Sequence, residues 1–247
     1  MKIGFLGCGK IGSKLLAHIK EENYGEVVFI QDPFAEIPGE NVIRQQEESC
    51  YAKTELVIEC ATAPVLKENI EVILKYADLL MFSVTAFADS VFSDRVDTLC
   101  KTYGHTVYLP HGAILGLDGI FDGRKVWNSV TIETTKNPKS LGREDTERTI
   151  VYEGATRQVC DLYPRNVNVH AAIALAGIGF DKTQSKIISD PAVNTNAHRI
   201  ILKGEGMDIS MDISSYAAGA VTGAYTPYSA CGSLDRICKQ DRDRVFV

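Results

Sequence analysis

The feature that most constrains the fold is a glycine-rich turn near the N-terminus, Gly7-Cys8-Gly9-Lys10-Ile11-Gly12. It follows a short apolar run at residues 3–6 and opens a segment with helical periodicity. Asp32 ends the next apolar run, twenty residues beyond Gly12. Strand, GxGxxG, helix and acidic residue in this order form the fingerprint of dinucleotide-binding domains. The chain is therefore predicted to begin with a Rossmann domain.

Each residue of the fingerprint has a physical role. Gly7 permits the tight turn, Gly9 lets the backbone approach a pyrophosphate, and Gly12 lets the helix pack closely on the strand. Lys10 and Ile11 complete the turn and are predicted cofactor contacts. The Asp32 carboxylate would accept hydrogen bonds from ribose hydroxyls and repel a 2′-phosphate, which favours NAD. NADP stays open as a second cofactor because Lys10 and Arg44 lie in the same region.

The first half of the chain alternates apolar runs with helical patterns, which is typical of a doubly wound parallel sheet. Asp89 is predicted to cap one of the helices, and Thr62 with Pro64 is predicted to begin another. The predicted strands after the first are residues 27–30, 56–58, 79–84 and 106–109.

The pattern changes near Gly112, where strands become more frequent than helices. The predicted helices are residues 157–162 and 167–176. The predicted strands are residues 126–135, 149–152, 186–188, 199–202 and 207–213, with the last three antiparallel. We therefore predict a nucleotide-binding domain at 1–112, a substrate and oligomerisation domain at 113–213, and a C-terminal segment at 214–247 that returns to the first domain.

Composition excludes several classes of partner. The net charge is -6 and its contributing residues are mixed along the chain, so we expect neither nucleic acid nor membrane as a partner. The seven cysteines are scattered and form no CxxC pair, so neither a metal site nor a disulfide framework is expected. The N-terminus lacks the features of a signal peptide, and a cytoplasmic location is expected.

Ordered motifs continue through most of the chain, and they resemble the L-aspartate dehydrogenase family. The most specific are Ser83-Val84-Thr85-Ala86-Phe87-Ala88-Asp89, Gly112-Ala113-Ile114-Leu115-Gly116-Leu117-Asp118, Tyr163-Pro164-Arg165-Asn166-Val167-Asn168-Val169 and Asn196-Ala197-His198. Shorter matches include Glu59-Cys60-Ala61 and Lys136-Asn137-Pro138-Lys139-Ser140-Leu141-Gly142.

The resemblance implies NAD(P)-dependent interconversion of L-aspartate with iminosuccinate, or with oxaloacetate and ammonia, which in some organisms feeds NAD biosynthesis. It implies a smaller α+β catalytic domain with a mixed or antiparallel sheet, similar to that of dihydrodipicolinate reductase. It also implies that His198 is the catalytic acid/base and that Ala61, Ala113 and Asn168 contact the cofactor.

The residue types support this chemistry independently. Histidine suits proton transfer because its ordinary pKa of about 6.5 lies near working pH. A dicarboxylate substrate needs fixed cations. The candidates are Lys136, Lys139, Arg165 and Arg199, and each could instead be a solvated surface charge.

The other four histidines have less definite predictions. His18 and His105 are expected at the surface. His111 and His170 depart from the family pattern, and each could line the pocket or serve a structural role.

Residues 214–229 differ from the Pro-Ser-Pro-x-Asn-Pro-Lys-Thr-Ser segment of the family, and residues 230–237 are only a short apolar stretch. Two alternatives therefore stay open: a related amino-acid dehydrogenase or imine reductase with another substrate, and a non-catalytic NAD-binding sensor.

A sheet exposed in the second domain favours a homodimer.

Overall fold

The computed structural model describes residues 1–216 and 223–239. The chain divides into two compact units, between residues 110 and 111 and again between residues 226 and 227. The first division lies close to the predicted boundary at 112, whereas the second lies well beyond the predicted boundary at 213. Residues 217–222, part of the divergent segment 214–229, lie outside the described residues.

The first unit is a parallel α/β unit. Its elements are β1 (Lys2–Leu6), α1 (Lys10–Glu22), β2 (Glu26–Gln31), β3 (Val42–Ile43), α2 (Glu48–Tyr51), β4 (Leu56–Glu59), α3 (Ala63–Tyr76), β5 (Asp78–Met81), α4 (Ser90–Tyr103) and β6 (Val107–Tyr108). The strands pair in the order β3-β2-β1-β4-β5-β6, and every pairing is parallel. This is the strand order of a Rossmann fold, so the predicted class is confirmed.

Local signals placed the helix starts correctly. The Asp89 side chain accepts hydrogen bonds from the backbone N–H groups of Val91 and Phe92 at the start of α4, as predicted. Thr62 is the N-cap residue of α3, with Pro64 in the first turn. The predicted strand at 79–84 is shorter than expected, because β5 ends at Met81 and a 3₁₀ helix occupies Val84–Ala88.

The second unit has a five-stranded sheet with helices. Its elements are α5 (Leu117–Asp122), β7 (Trp127–Lys136), a 3₁₀ helix (Pro138–Leu141), β8 (Thr149–Ala155), α6 (Thr156–Leu162), α7 (Asn168–Ala176), β9 (Gln184–Ser189), β10 (Thr195–Gly204) and β11 (Asp208–Tyr216). The strand order is β11-β10-β7-β9-β8, with β7 and β9 parallel and the other pairs antiparallel. The expected α+β domain with a mixed sheet is confirmed.

The prediction that β9, β10 and β11 form an antiparallel series was wrong for β9. β7 lies between β9 and β10, and β9 runs parallel to it. Alternate residues of β7 are buried from Val130 to Lys136, on the face that α7 packs against. A central strand that pairs along both edges separates strands that are consecutive in the sequence.

The C-terminal helix belongs to the first unit. α8 (Thr226–Cys238) has 13 residues, where the sequence suggested only a short apolar stretch. Ala230, Cys231 and Leu234 are buried in the core formed by β1, α1 and their neighbours.

His18 and His105 are not free surface residues, contrary to expectation. His18 Nε2 lies 2.6 Å from Oδ1 of Asp235 on α8, and the His18 side chain is 14% exposed. His105 Nδ1 lies 3.2 Å from Oδ1 of Asp78, and both side chains are partly buried. Each ring is therefore positioned by a carboxylate within the first unit.

Among residues 1–216 and 223–239, no helix has both the length and the apolar character needed to cross a membrane. All seven cysteines fall in this part of the chain, and all are free thiols.

Candidate active site

The glycine-rich turn between β1 and α1 has the geometry of a nucleotide-binding loop. Gly7 has a φ of +84°, which glycine adopts without strain, and a Cβ there would lie 2.9 Å from Ala61. A Cβ on Gly9 would meet no atom of the described residues within 4 Å. The backbone at Gly9 is therefore open to a ligand, and it leads directly into the N-terminus of α1, which suits a pyrophosphate. These residues fit a dinucleotide.

The two residues between these glycines and Gly12 differ in exposure. Lys10 is exposed at the first position of α1, whereas the side chain of Ile11 packs against the core. A Cβ on Gly12 would lie 3.0 Å from the Gly7 carbonyl oxygen, which is why the turn requires a third glycine.

Asp32 follows β2 and is fixed by backbone donors. Its carboxylate accepts hydrogen bonds from the N–H groups of Cys8 at 2.9 Å, Phe34 at 2.8 Å and Ala35 at 2.9 Å. Partial burial raises the pKa of Asp32, but these donors and nearby Arg44 outweigh it and hold the pKa below its ordinary value. Asp32 is therefore a fixed negative charge beside the glycine-rich turn.

Glu59, a residue without a role predicted from the sequence, connects two loops of the first unit. It is fully buried at the end of β4, where it accepts hydrogen bonds from the Ala61 N–H at 2.8 Å and from the Ser83 N–H and hydroxyl at 2.8 and 2.7 Å. Burial raises its pKa, and these hydrogen bonds oppose that rise. Glu59 thereby ties the loop after β4 to the loop after β5. It also sets the position of Ala61, which borders Gly7.

The second unit places His198 in a buried polar cluster. His198 lies on β10 opposite Thr134 of β7, and its Nδ1 is 2.8 Å from the Thr134 hydroxyl oxygen. The same hydroxyl is 2.7 Å from Nε2 of His170 on α7. His198 is 3% exposed and His170 is fully buried. His170 was predicted either to line the pocket or to serve a structural role. The structure places it beside the predicted catalytic histidine.

Both histidines are neutral near pH 7. Burial lowers the pKa of His198 to about 3, with a further contribution from the positive charge of Lys136. Burial lowers the pKa of His170 well below its ordinary value, and electrostatic interactions with His198 and Lys136 act in the same direction. A neutral imidazole is the form that can accept a proton.

Lys136 ends β7 and is the most buried of the predicted cations. It is 3% exposed, and its ammonium donates hydrogen bonds to the Asn166 side-chain oxygen at 3.2 Å and the Asn166 carbonyl at 3.4 Å. Burial lowers its pKa from 10.5 to about 8. A buried ammonium close enough to lower the pKa of His198 is suited to a substrate carboxylate.

The other three predicted cations differ from Lys136. Lys139 and Arg165 are exposed; the first lies in the 3₁₀ helix after β7, and the second precedes Asn166. Arg199 is also exposed, and its Nε lies 3.7 Å from Oδ1 of Asp212. Because neighbouring residues of a strand face opposite sides, Arg199 points away from the sheet face that carries His198.

The remaining predicted cofactor contacts belong to the second unit. Asn168 is the first residue of α7, and Ala113 lies in the loop before α5. Their role as nicotinamide contacts stays a prediction. His111 Nε2 lies 3.9 Å from Oδ1 of Asp118, and its side chain is 15% exposed.

Thr134, Ser185 and Thr156 also bear on His198, although no motif in the sequence singles them out. Each is buried and hydrogen-bonded within the polar cluster. A signal was available for one of their partners: His170 is a single imidazole in an otherwise alanine-rich apolar helix.

Known proteins resemble both units of the chain. The family model described as aspartate dehydrogenase, C-terminal, matches residues 122–237. The model described as homoserine dehydrogenase, NAD binding domain, matches residues 7–110. The crystal structure of aspartate dehydrogenase from Thermotoga maritima gives a TM-score of 0.82 at 30% identity and covers 100% of this chain and 99% of that chain.

Two relatives in sequence carry the name L-aspartate dehydrogenase. The protein from Thermotoga maritima is 34% identical over 199 residues, which cover 80% of each chain. The protein from Archaeoglobus fulgidus is 31% identical over 248 residues, which cover 100% of each chain.

Proposed function

The chain belongs to the L-aspartate dehydrogenase family, and on that premise we propose that it interconverts L-aspartate with iminosuccinate, or with oxaloacetate and ammonia, using NAD or NADP. The observation that carries the proposal is the buried, neutral His198 beside the buried cation Lys136. The dinucleotide, when bound, supplies the hydride acceptor. The side chains of the second unit would bind the dicarboxylate and move the proton.

His198 is proposed as the base in aspartate oxidation. Loss of hydride from the substrate Cα and of a proton from its amino group leaves an imine. The neutral imidazole accepts that proton, and in the reverse direction the imidazolium returns it. In the direction of aspartate oxidation, water next adds to the imine carbon and ammonia leaves, which yields oxaloacetate.

Lys136 is proposed as the principal cation for a substrate carboxylate. Its desolvated ammonium interacts more strongly with an anion than a surface lysine does, because solvent screens it less. Lys139 and Arg165 flank it from two loops and are proposed to assist with the second carboxylate. Arg199 is left out of the proposed site because it lies on the other face of the sheet and pairs with Asp212.

Asp32 is proposed to select NAD over NADP. The Asp32→Asn variant keeps the side-chain shape and removes the charge that repels a 2′-phosphate. We expect the ratio of kcat/KM for NAD to that for NADP to fall by about 10-fold or more, which corresponds to about 1.4 kcal/mol. Steady-state kinetics with each cofactor measures the ratio. Glu36→Gln, an exposed acid in the same loop, is the matched control and should leave it unchanged.

The substrate assignment is tested with a panel of oxo acids, each with ammonium and NADH. Oxaloacetate is expected to give NADH oxidation at least 10-fold faster than pyruvate or 2-oxoglutarate, because pyruvate lacks the second carboxylate and 2-oxoglutarate is one carbon longer than the proposed substrate. Faster turnover of another oxo acid would identify a related amino-acid dehydrogenase. NADH binding by fluorescence without turnover of any oxo acid would identify a sensor.

Three further expectations stay predictions: a cytoplasmic location, a role in supplying NAD biosynthesis, and assembly as a homodimer. The dimer is supported by the sheet face of the second unit that carries Arg199 and Asp212, since both side chains are exposed. Light scattering at several protein concentrations would determine the oligomeric state.

A further inference from the structure

Buried groups run in series from His198 to a backbone carbonyl in the second unit. The successive heavy-atom distances are 2.8 Å, 2.7 Å, 2.9 Å, 2.7 Å and 3.0 Å along His198 Nδ1, Thr134 Oγ1, His170 Nε2 then Nδ1, Ser185 Oγ, Thr156 Oγ1 and the Thr183 carbonyl oxygen. None of the five side chains is more than 3% exposed. Because solvent hardly reaches these five side chains, each of them forms its hydrogen bonds with its neighbours in this series.

The carbonyl end determines the direction of every hydrogen bond in this series. A carbonyl oxygen only accepts, so the Thr156 hydroxyl donates its single proton to Thr183. Thr156 must then accept from Ser185, which uses the single proton of the Ser185 hydroxyl. Ser185 in turn must accept from Nδ1 of His170. His170 therefore carries its proton on Nδ1.

The same count continues through His170 to His198. A neutral imidazole has one donor and one acceptor nitrogen, so Nε2 of His170 accepts from the Thr134 hydroxyl. Thr134 has then used its only proton and accepts from Nδ1 of His198. His198 is left with its proton on Nδ1 and a lone pair on Nε2.

We propose that His170, Ser185 and Thr156 are positioning residues that hold His198 in the Nδ1–H tautomer, so that Nε2 is the nitrogen that accepts and returns the substrate proton. When Nε2 takes up a proton, Nδ1–H still donates to Thr134, so no other bond in the chain has to reverse. Proton arrival and departure then occur at a single atom.

The direction depends on His170 being neutral. A cationic His170 would donate from both nitrogens, Thr134 would then donate to Nδ1 of His198, and the His198 proton would move to Nε2. Complete burial and the neighbouring positive charge of Lys136 hold His170 neutral. The catalytic consequence rests on the proposed function, whereas the tautomer is a property of the unliganded protein.

The matched variants are Thr156→Val and Thr156→Ser. Valine preserves the shape and removes the hydroxyl, so the Ser185 proton is left with Nδ1 of His170 as its acceptor. Every hydrogen bond between Ser185 and His198 then reverses its direction, which places the His198 proton on Nε2. Serine keeps the hydroxyl and the original direction. Ser185→Ala is a second variant, should valine impair folding, because it interrupts the chain at the next position.

The test is ¹⁵N NMR of the full-length protein with ¹⁵N-labelled histidine near pH 7, with His198 assigned by its loss in His198→Asn. Wild type and Thr156→Ser are expected to show His198 protonated at Nδ1 and unprotonated at Nε2. Thr156→Val is expected to shift the proton to Nε2 and to lower kcat about 10- to 100-fold, with KM for aspartate within about twofold. Ser185→Ala should leave His198 without a fixed preference between its two tautomers.

Two results would overturn the inference: a His198 proton on Nε2 in wild type, or an unchanged His198 tautomer in folded Thr156→Val. The expected spectra with no turnover of any oxo acid would contradict the proposed function and leave the tautomer inference intact. Aspartate oxidation by a wild-type protein whose His198 carries its proton on Nε2 would contradict the tautomer inference and leave the proposed function intact.

Discussion

Replacing His198 with alanine is expected to lower kcat for aspartate oxidation by about 10²- to 10⁴-fold, the usual loss when a positioned general base is removed. His198 is neutral and buried beside Lys136, so no solvent-exposed base substitutes for it efficiently. KM for aspartate is expected to change far less, because Lys136 remains. Steady-state kinetics with saturating NAD measures both values.

The matched control is His105→Ala, which removes a partly buried histidine that is bonded to Asp78 in the first unit. Its kcat is expected to stay within about twofold of wild type. Circular dichroism and thermal unfolding must show that both variants are folded. Activity of folded His198→Ala within a few-fold of wild type would rule out His198 as the acid/base.

Replacing Lys136 with methionine is expected to raise KM for aspartate by about 10- to 100-fold, as the loss of a charged hydrogen bond to a carboxylate does. Affinity for succinate, an unreactive dicarboxylate, should fall similarly. In wild type, succinate affinity is expected to decline above a pH of about 8, where Lys136 loses its charge. In Lys136→Met that decline should be absent.

The same variant is expected to be more stable than wild type near pH 7. Burial lowers the pKa of Lys136 from 10.5 to about 8, so the folded protein binds this proton more weakly than the unfolded chain does. The cost is fully present below the folded pKa and is lost as pH rises toward 10.5. It amounts to about 3 kcal/mol, of which the hydrogen bonds to Asn166 offset a part.

Urea unfolding near pH 7 and near pH 10 measures this difference. The stabilisation by Lys136→Met should be larger at the lower pH. Lys203→Met, an exposed lysine of β10, is the control and should change stability by less than about 0.5 kcal/mol at either pH. Unaltered succinate affinity in Lys136→Met would remove Lys136 from the binding site.

The glycine-rich turn and Asp32 in the first unit were largely predictable because their signals are local. Gly7, Gly9, Gly12 and Asp32 act through backbone conformation and through elements that follow one another in the chain. The α4 cap at Asp89 was predictable for the same reason. Glu59 was not, because its partners at Phe82 and Ser83 lie on a loop that only sheet pairing brings near.

The pair His198 and Arg199 could have been separated from the sequence. Had the strand predicted at 199–202 been extended by one residue to include His198, the two adjacent positions would have faced opposite sides, and both could not reach one substrate. Lys136 and Lys139 could not be distinguished from the sequence. Their difference in burial arises because Lys136 ends a central strand and Lys139 lies in the 3₁₀ helix beyond it.

By itself the sequence determined the cofactor class and the Rossmann fold, because these depend on local spacing, and its ordered motifs led to the prediction that His198 is the acid/base. Only the tertiary structure decided the environment of His198. The placement of β7 between β9 and β10 brings Thr134 opposite His198, and α7 adds His170 above them. Burial then makes both rings neutral, and a carbonyl 15 residues from His198 in the chain, at Thr183, sets the direction of their hydrogen bonds.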